Sequence, residues 1–135
     1  MERGGDAESF VNKFAAGWRS GSLESFLDSF APLVDPDVRL IQPPLPTQRG
    51  WDGFVRLFTS LYELMPDLRG EVVGWEPTED GVAIDLDLVG TLAGKPLRLR
   101  THDEIEVREG LIVSRRCRLS AAGTGSCGCS PRSTS

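Results

Sequence analysis

The chain has 135 residues, enough for one domain with a single core and too few for two. Apolar residues make up 39% and charged residues 26%, a balance that supports a folded core and separates the chain from disordered sequences. The net charge is −5 and the arginines are scattered rather than gathered into a stripe, so nucleic acid is not an expected partner.

The opening stretch, MERGGDAESF, lacks the apolar run of a secretory signal, and no later stretch reaches the roughly 20 apolar residues of a membrane span. A cytoplasmic protein with no membrane partner is expected. From Asp6 to Ser20, the residues Phe10, Val11, Phe14, Ala15 and Trp18 recur at three- and four-residue spacing, which predicts an amphipathic helix ended by Gly21. Ser22 is placed to cap a second helix whose buried stripe is Leu23, Phe26, Leu27 and Phe30, with Pro32 and Pro36 as its stop. A short strand follows over 38–41, and the prolines of 42–46 make the next stretch a rigid loop, since each lacks a ladder donor. Asp52 is the expected cap of a third helix carrying Phe54, Leu57, Phe58, Leu61, Leu64 and Met65 on one face, closed by Pro66.

After Asp67 the apolar period changes to two. Turn signals at Asp80-Gly81, Ala93-Gly94 and Glu109-Gly110 divide the rest into strands near 68–78, 82–92, 95–108 and 111–120. Short turns imply an antiparallel meander, and helices followed by a run of strands predict an α+β fold. The expected architecture is a cone: a curved, mostly antiparallel sheet packed against three N-terminal helices and enclosing an apolar ligand pocket. The domain is expected over 1–120, with a disordered Ser/Gly/Cys tail over 121–135. Cys127 and Cys129 in that tail have no His or further Cys to complete a metal site, so no metal is expected there.

Alternation within the strands shows which side chains share a face. Over 82–92, Val82, Ile84, Leu86, Leu88 and Leu92 form one row, and Asp85 and Asp87 the other. Over 95–108 the odd row is Leu97, Leu99, Thr101, Asp103, Ile105 and Val107, and the even row is Arg98, Arg100, His102, Glu104, Glu106 and Arg108. One carboxylate, Asp103, thus falls on an otherwise apolar row. Burial disfavours its charged form unless a donor or cation compensates, and such an environment suits a general acid or base. A bulge near Thr101 is the alternative. It would turn Asp103 outward, bring His102 inward, and make a pairing with Arg115 or Arg116 simple scaffolding. The charged even row is a solvated face or, across a two-fold axis, a homodimer contact. Phe14, Trp18, Gln42, Phe58, Tyr62 and Arg116 are candidates for ligand contact, together with Trp51 and Trp75, although aromatics at such spacing are commonly core.

Three stretches together resemble the SnoaL-like polyketide cyclases, within the wider group of nuclear-transport-factor-2-like and ketosteroid-isomerase-like cones. They are Phe14-Ala15-Ala16-Gly17-Trp18-Arg19-Ser20-Gly21-Ser22-Leu23, Pro66-Asp67-Leu68, and the run His102-Asp103-Glu104-Ile105-Glu106-Val107-Arg108-Glu109-Gly110-Leu111-Ile112-Val113. The resemblance implies a cyclase or isomerase in which Asp103, six residues before Glu109-Gly110, is the general acid/base for ring closure at carbon, with no metal or bound cofactor. It also implies departures. Ketosteroid isomerases carry a tyrosine where this chain has Phe14 and an aspartate base at about Gln42, and neither chemistry is available here. Hydrolases like limonene-epoxide hydrolase set two aspartates and an arginine around a water. Asp103 and Arg116 match part of that set, and Ser120 stands for the second aspartate. Inward arginines among Arg115, Arg116 and Arg118 would suit a carboxylate or enolate oxygen of an apolar or aromatic ligand. A non-catalytic binding or dimerisation module is the third reading.

Overall fold

The computed structural model of the protein describes residues 2–43 and 45–119. The tail over 121–135, with Cys127 and Cys129, lies outside the described residues, as do Pro44 and Ser120. Helix α1 spans Glu2–Trp18, beginning before the expected Asp6, and Gly21 with φ +90° ends the turn that follows it. Helix α2 spans Leu23–Phe30, and the Ser22 hydroxyl accepts the Ser25 amide at 3.2 Å, which satisfies one orphan donor of the first turn. One turn of 3-10 helix, Ala31–Leu33, leads into strand β1, Val34–Ile41.

Strand β1 is longer than the expected 38–41 and contains Pro36. The ladder tolerates the proline because its pairing breaks there: Val34 faces Ile112 and the next partners are Arg39 and Ser114. Strand β2, Gln48–Arg49, folds back on β1 and was not expected from periodicity, since two residues carry no period. Helix α3, Gly50–Leu64, then starts directly from the strand. Asp52 therefore sits in the first turn, and the capping position is Arg49, which makes no side-chain cap; Gly50, at φ +73°, turns the chain from strand to helix.

The meander follows as β3 (Arg69–Pro77), β4 (Gly81–Leu92), β5 (Lys95–Arg108) and β6 (Leu111–Leu119). At Ala93-Gly94 and Glu109-Gly110 both residues have positive φ, the two-residue hairpin geometry whose twist matches that of the flanking strands. The six strands are ordered β2-β1-β6-β5-β4-β3, and every neighbouring pair is antiparallel except β1 with β6. Three helices thus pack on one face of a six-stranded sheet, as the α+β reading requires.

An aromatic layer joins helices to sheet. Phe26 is fully buried, with ring centroids 4.9 Å from Trp18, 4.6 Å from Phe30 and 4.7 Å from Phe58. Gly70 on β3 exists beneath it for a steric reason, since a Cβ there would lie 2.8 Å from the Trp18 ring. Asp67 fastens the segment after α3 to β4 by accepting the Thr91 hydroxyl and the Thr91 amide, each at 2.8 Å. Those two bonds, the hydroxyl first, hold its carboxyl below the ordinary 3.8.

Candidate functional site

Strand β5 alternates without interruption from Lys95 to Glu106, and its ladder with β6 shifts only between Glu106 and Val107. Thr101, Asp103 and Ile105 therefore all face the helices, and Asp103 is 0% exposed. His102 falls on the opposite face, where its Nδ1 lies 2.8 Å from Asp85. On that face Asp87 also takes Arg98 at 3.2 Å and Arg100, and Arg118 reaches Glu104 at 3.5 Å.

The cation that meets Asp103 is Arg115. Its Nε donates to Asp103 Oδ2 at 2.9 Å, its Nη1 donates to Gln42 Oε1 at 3.3 Å, and its guanidinium carbon lies 5.6 Å from the centroid of the Phe58 ring. Burial, the largest single influence, opposes the Arg115 charge, but Asp103 and Cys117 together outweigh it and hold the guanidinium above its usual value. Arg116, the arginine expected at the ligand, is instead exposed opposite Glu104. The reason is the shift between Glu106 and Val107. It puts both Ile112 and Arg115 inside, residues of opposite parity that no regular strand would bring to one face.

Phe14, Trp18, Phe58 and Tyr62 are all buried, within an aromatic cluster that also contains Phe26, Phe30 and Phe54. Trp51 stacks on Phe54 with centroids 5.0 Å apart, and Trp75 is exposed. Phe58 is the member of this cluster that lies against the ion pair. A cleft of about 810 Å³ opens elsewhere, between Phe10 and Lys13 of α1 and the turns at Thr78–Gly81 and Glu109–Gly110, and neither Asp103 nor Arg115 lines it.

Among the described residues, three buried side-chain oxygens have no hydrogen-bond partner of normal geometry: Asp103 Oδ1, Thr101 Oγ1 and the Tyr62 hydroxyl. Cys117, directly across the ladder from Asp103, is a buried free thiol. Burial pushes it up to about 11, partly offset by Arg115 and reinforced by Asp103, and burial pushes Tyr62 up to about 12. In the unfolded chain these groups ionise at their ordinary 9.0 and 10.0, so the stability tied to their neutral forms is whole below pH 9.0 and is lost as pH rises through about 11 and 12. Tyr62→Phe and Cys117→Ala should each flatten this alkaline limb. Urea midpoints at about pH 8 and about pH 11 measure it, and a variant that falls as steeply as wild type would show that its group is not ionising on unfolding. Among the described residues, no group of three or more His, Cys, Asp and Glu side chains is placed to hold a metal ion, and no helix is long and apolar enough to cross a membrane.

The sequence profile of the SnoaL-like domain family matches residues 11–115. The chain belongs to that family. Solved structures agree on the fold of this SnoaL-like domain. A candidate SnoaL-like polyketide cyclase from Jannaschia sp. CCS1 superposes with a TM-score of 0.73 at 17% identity, covering 84% of this chain and 85% of that one. IdmH, a candidate polyketide cyclase from Streptomyces antibioticus, does so at 0.70 and 19% identity, covering 87% and 94%. A protein of ketosteroid isomerase-like fold from Catenulispora acidiphila, crystallised with trimethylamine, gives 0.70 at 15% identity over 84% and 87%. No curated protein matches this chain by sequence.

Of the residues singled out from sequence, Asp103 and Gln42 meet through Arg115, Phe58 lies under that arginine, and Phe14, Trp18 and Tyr62 belong to the aromatic cluster. Thr101 was not singled out. Its signal was present, as a second polar side chain on the inward row of β5 two residues from Asp103.

Proposed function

We propose that this SnoaL-like domain acts on a small, largely apolar molecule by proton transfer at carbon, as a cyclase or isomerase, with Asp103 as general acid/base. The observation that carries this reading is the asymmetry of the carboxylate: Oδ2 is held by Arg115, while Oδ1, also buried, has no N–H or O–H donor, and the Cys117 thiol beside the carboxylate is only a weak one. A buried acceptor without a donor costs about 1–3 kcal/mol, so one that persists calls for an explanation such as a ligand group absent from the structure. On this reading Oδ1 takes a proton from a carbon flanked by carbonyls, the resulting enolate attacks a second carbonyl, and the protonated Asp103 returns its proton to the new alkoxide. Protons balance over the cycle, and Arg115 supplies the fixed positive charge beside the developing oxyanion.

A second reading has its own support. The Asp103 and Arg115 side chains are 0% and 5% exposed among packed aromatics, as a purely structural ion pair would be. Deuterium washout from the central carbon of benzoylacetone and related β-dicarbonyl probes, followed by NMR, separates the two. Washout above the buffer rate that falls by about 10²- to 10⁴-fold in a folded Asp103→Asn variant supports acid/base action. Wild type and variant exchanging alike would leave the ion pair structural. We also read the domain as a homodimer through the outer face of β5, where basic residues at 98 and 100 and acidic residues at 104 and 106 are self-complementary about a two-fold axis. Light scattering giving a monomer would remove that reading.

A further inference from the structure

Along the inward row of β5, exposure falls in sequence order: Leu97 and Leu99 are half-buried, Thr101 is 2% exposed, and Asp103 is 0% exposed. Directly across from Thr101 the last residue of β6, Leu119, is 64% exposed. At the same end of the pair, Gln42, half-buried, follows the last residue of β1 and holds Arg115. This end of the sheet therefore comes close to the surface. The inward row thus runs from the half-buried Leu97 and Leu99, with Leu119 alongside, to Thr101 and then to Asp103, and Thr101 is the first polar side chain after the two leucines.

Its hydroxyl is also one of the three buried oxygens without a partner, and the unpartnered Oδ1 of Asp103 is its neighbour on the same face. Same-face neighbours on a strand stand about 7 Å apart at their Cα atoms. The Cys117 thiol lies beside both and interacts with each, but a thiol is a weak donor and a weak acceptor, so neither oxygen gains an N–H or O–H partner from it. A hydroxyl donates one hydrogen bond, whereas a carboxylate only accepts. The two are complementary to a ligand that offers an acceptor oxygen beside a proton-bearing group.

We propose that Thr101 is a substrate-binding residue of the Asp103 site, donating to a carbonyl or enol oxygen of the molecule whose proton Asp103 Oδ1 takes. This rests on the proton-transfer reading of Asp103 but makes a separate claim. The hydroxyl is retained against the interest of the fold, because an unpaired buried polar group replaced by an apolar one of the same shape leaves stability unchanged or improved. Loss of the hydroxyl should therefore move stability and ligand binding in opposite directions, which an internally bonded threonine would not do.

The test uses Thr101→Val and Thr101→Ser with two probes: benzoylacetone, which can exchange its central protons, and its dimethylated analogue, which has none and reports binding alone. Thr101→Val is expected to keep or raise the Tm while weakening binding of the analogue about 3- to 10-fold, and Thr101→Ser to restore binding to near the wild-type Kd. A Tm several degrees below wild type in Thr101→Val would show that the hydroxyl is bonded within the fold and would overturn the proposal. So would an unchanged Kd, or no binding of the analogue by the wild-type chain. The exchange probe isolates the other reading. If the analogue binds in a Thr101-dependent way but Asp103→Asn leaves benzoylacetone exchange intact, the Thr101 site stands and the acid/base role of Asp103 falls.

Discussion

Arg115→Ala should lower the unfolding free energy by about 3–5 kcal/mol, because it leaves a fully buried carboxylate without its cation. The pair is not screened by solvent: Asp103 and Arg115 are 0% and 5% exposed at their side chains, and the 2.9 Å bond joining them is enclosed by protein. The guanidinium also covers the Phe58 ring and holds Gln42, so alanine removes packing as well as charge. The control is the double replacement Asp103→Leu with Arg115→Met, which removes both charges and should recover most of the loss. Urea unfolding of the single and double variants measures both. A single variant within about 1 kcal/mol of wild type would show that water reaches Asp103 freely and that the carboxylate is not a buried group in solution.

Phe26→Ala should cost a similar amount, about 3–5 kcal/mol, through the cavity it leaves. Phe26 is fully buried, and besides Trp18, Phe30 and Phe58 its ring lies 6.0 Å from Phe54 and 5.6 Å from Tyr62. It therefore joins all three helices, two of them through rings that sit over the inward row of the sheet. Thermal unfolding with calorimetric enthalpy is the appropriate measurement, since a loosened helix layer would broaden the transition as well as lower the Tm. A loss below about 1 kcal/mol would mean that the layer repacks easily, and the site beneath it would be adaptable rather than rigid.

Much of this arrangement is readable before any coordinates. The change of apolar period after Asp67, the hairpin turns at Ala93-Gly94 and Glu109-Gly110, and the Ser22 cap are each determined within a few residues of chain. So is the inward position of Asp103, because the alternation of β5 runs unbroken through it. The partner of Asp103 is a different matter. Arg115 and Arg116 are equivalent by composition, and parity counted from Ile112 would turn Arg116 inward.

Local chemistry thus specified the helices, the meander and the one carboxylate on an apolar row, since period, capping and turn geometry depend on neighbours along the chain. Tertiary structure alone decided the parallel pairing of β1 with β6, the contact between Gln42 and Arg115 across 73 residues, and the choice of Arg115 as the buried cation. The physical reason is register. A single bulge reverses which side of a strand every later residue faces, and only the complete set of strand pairings determines where that bulge falls.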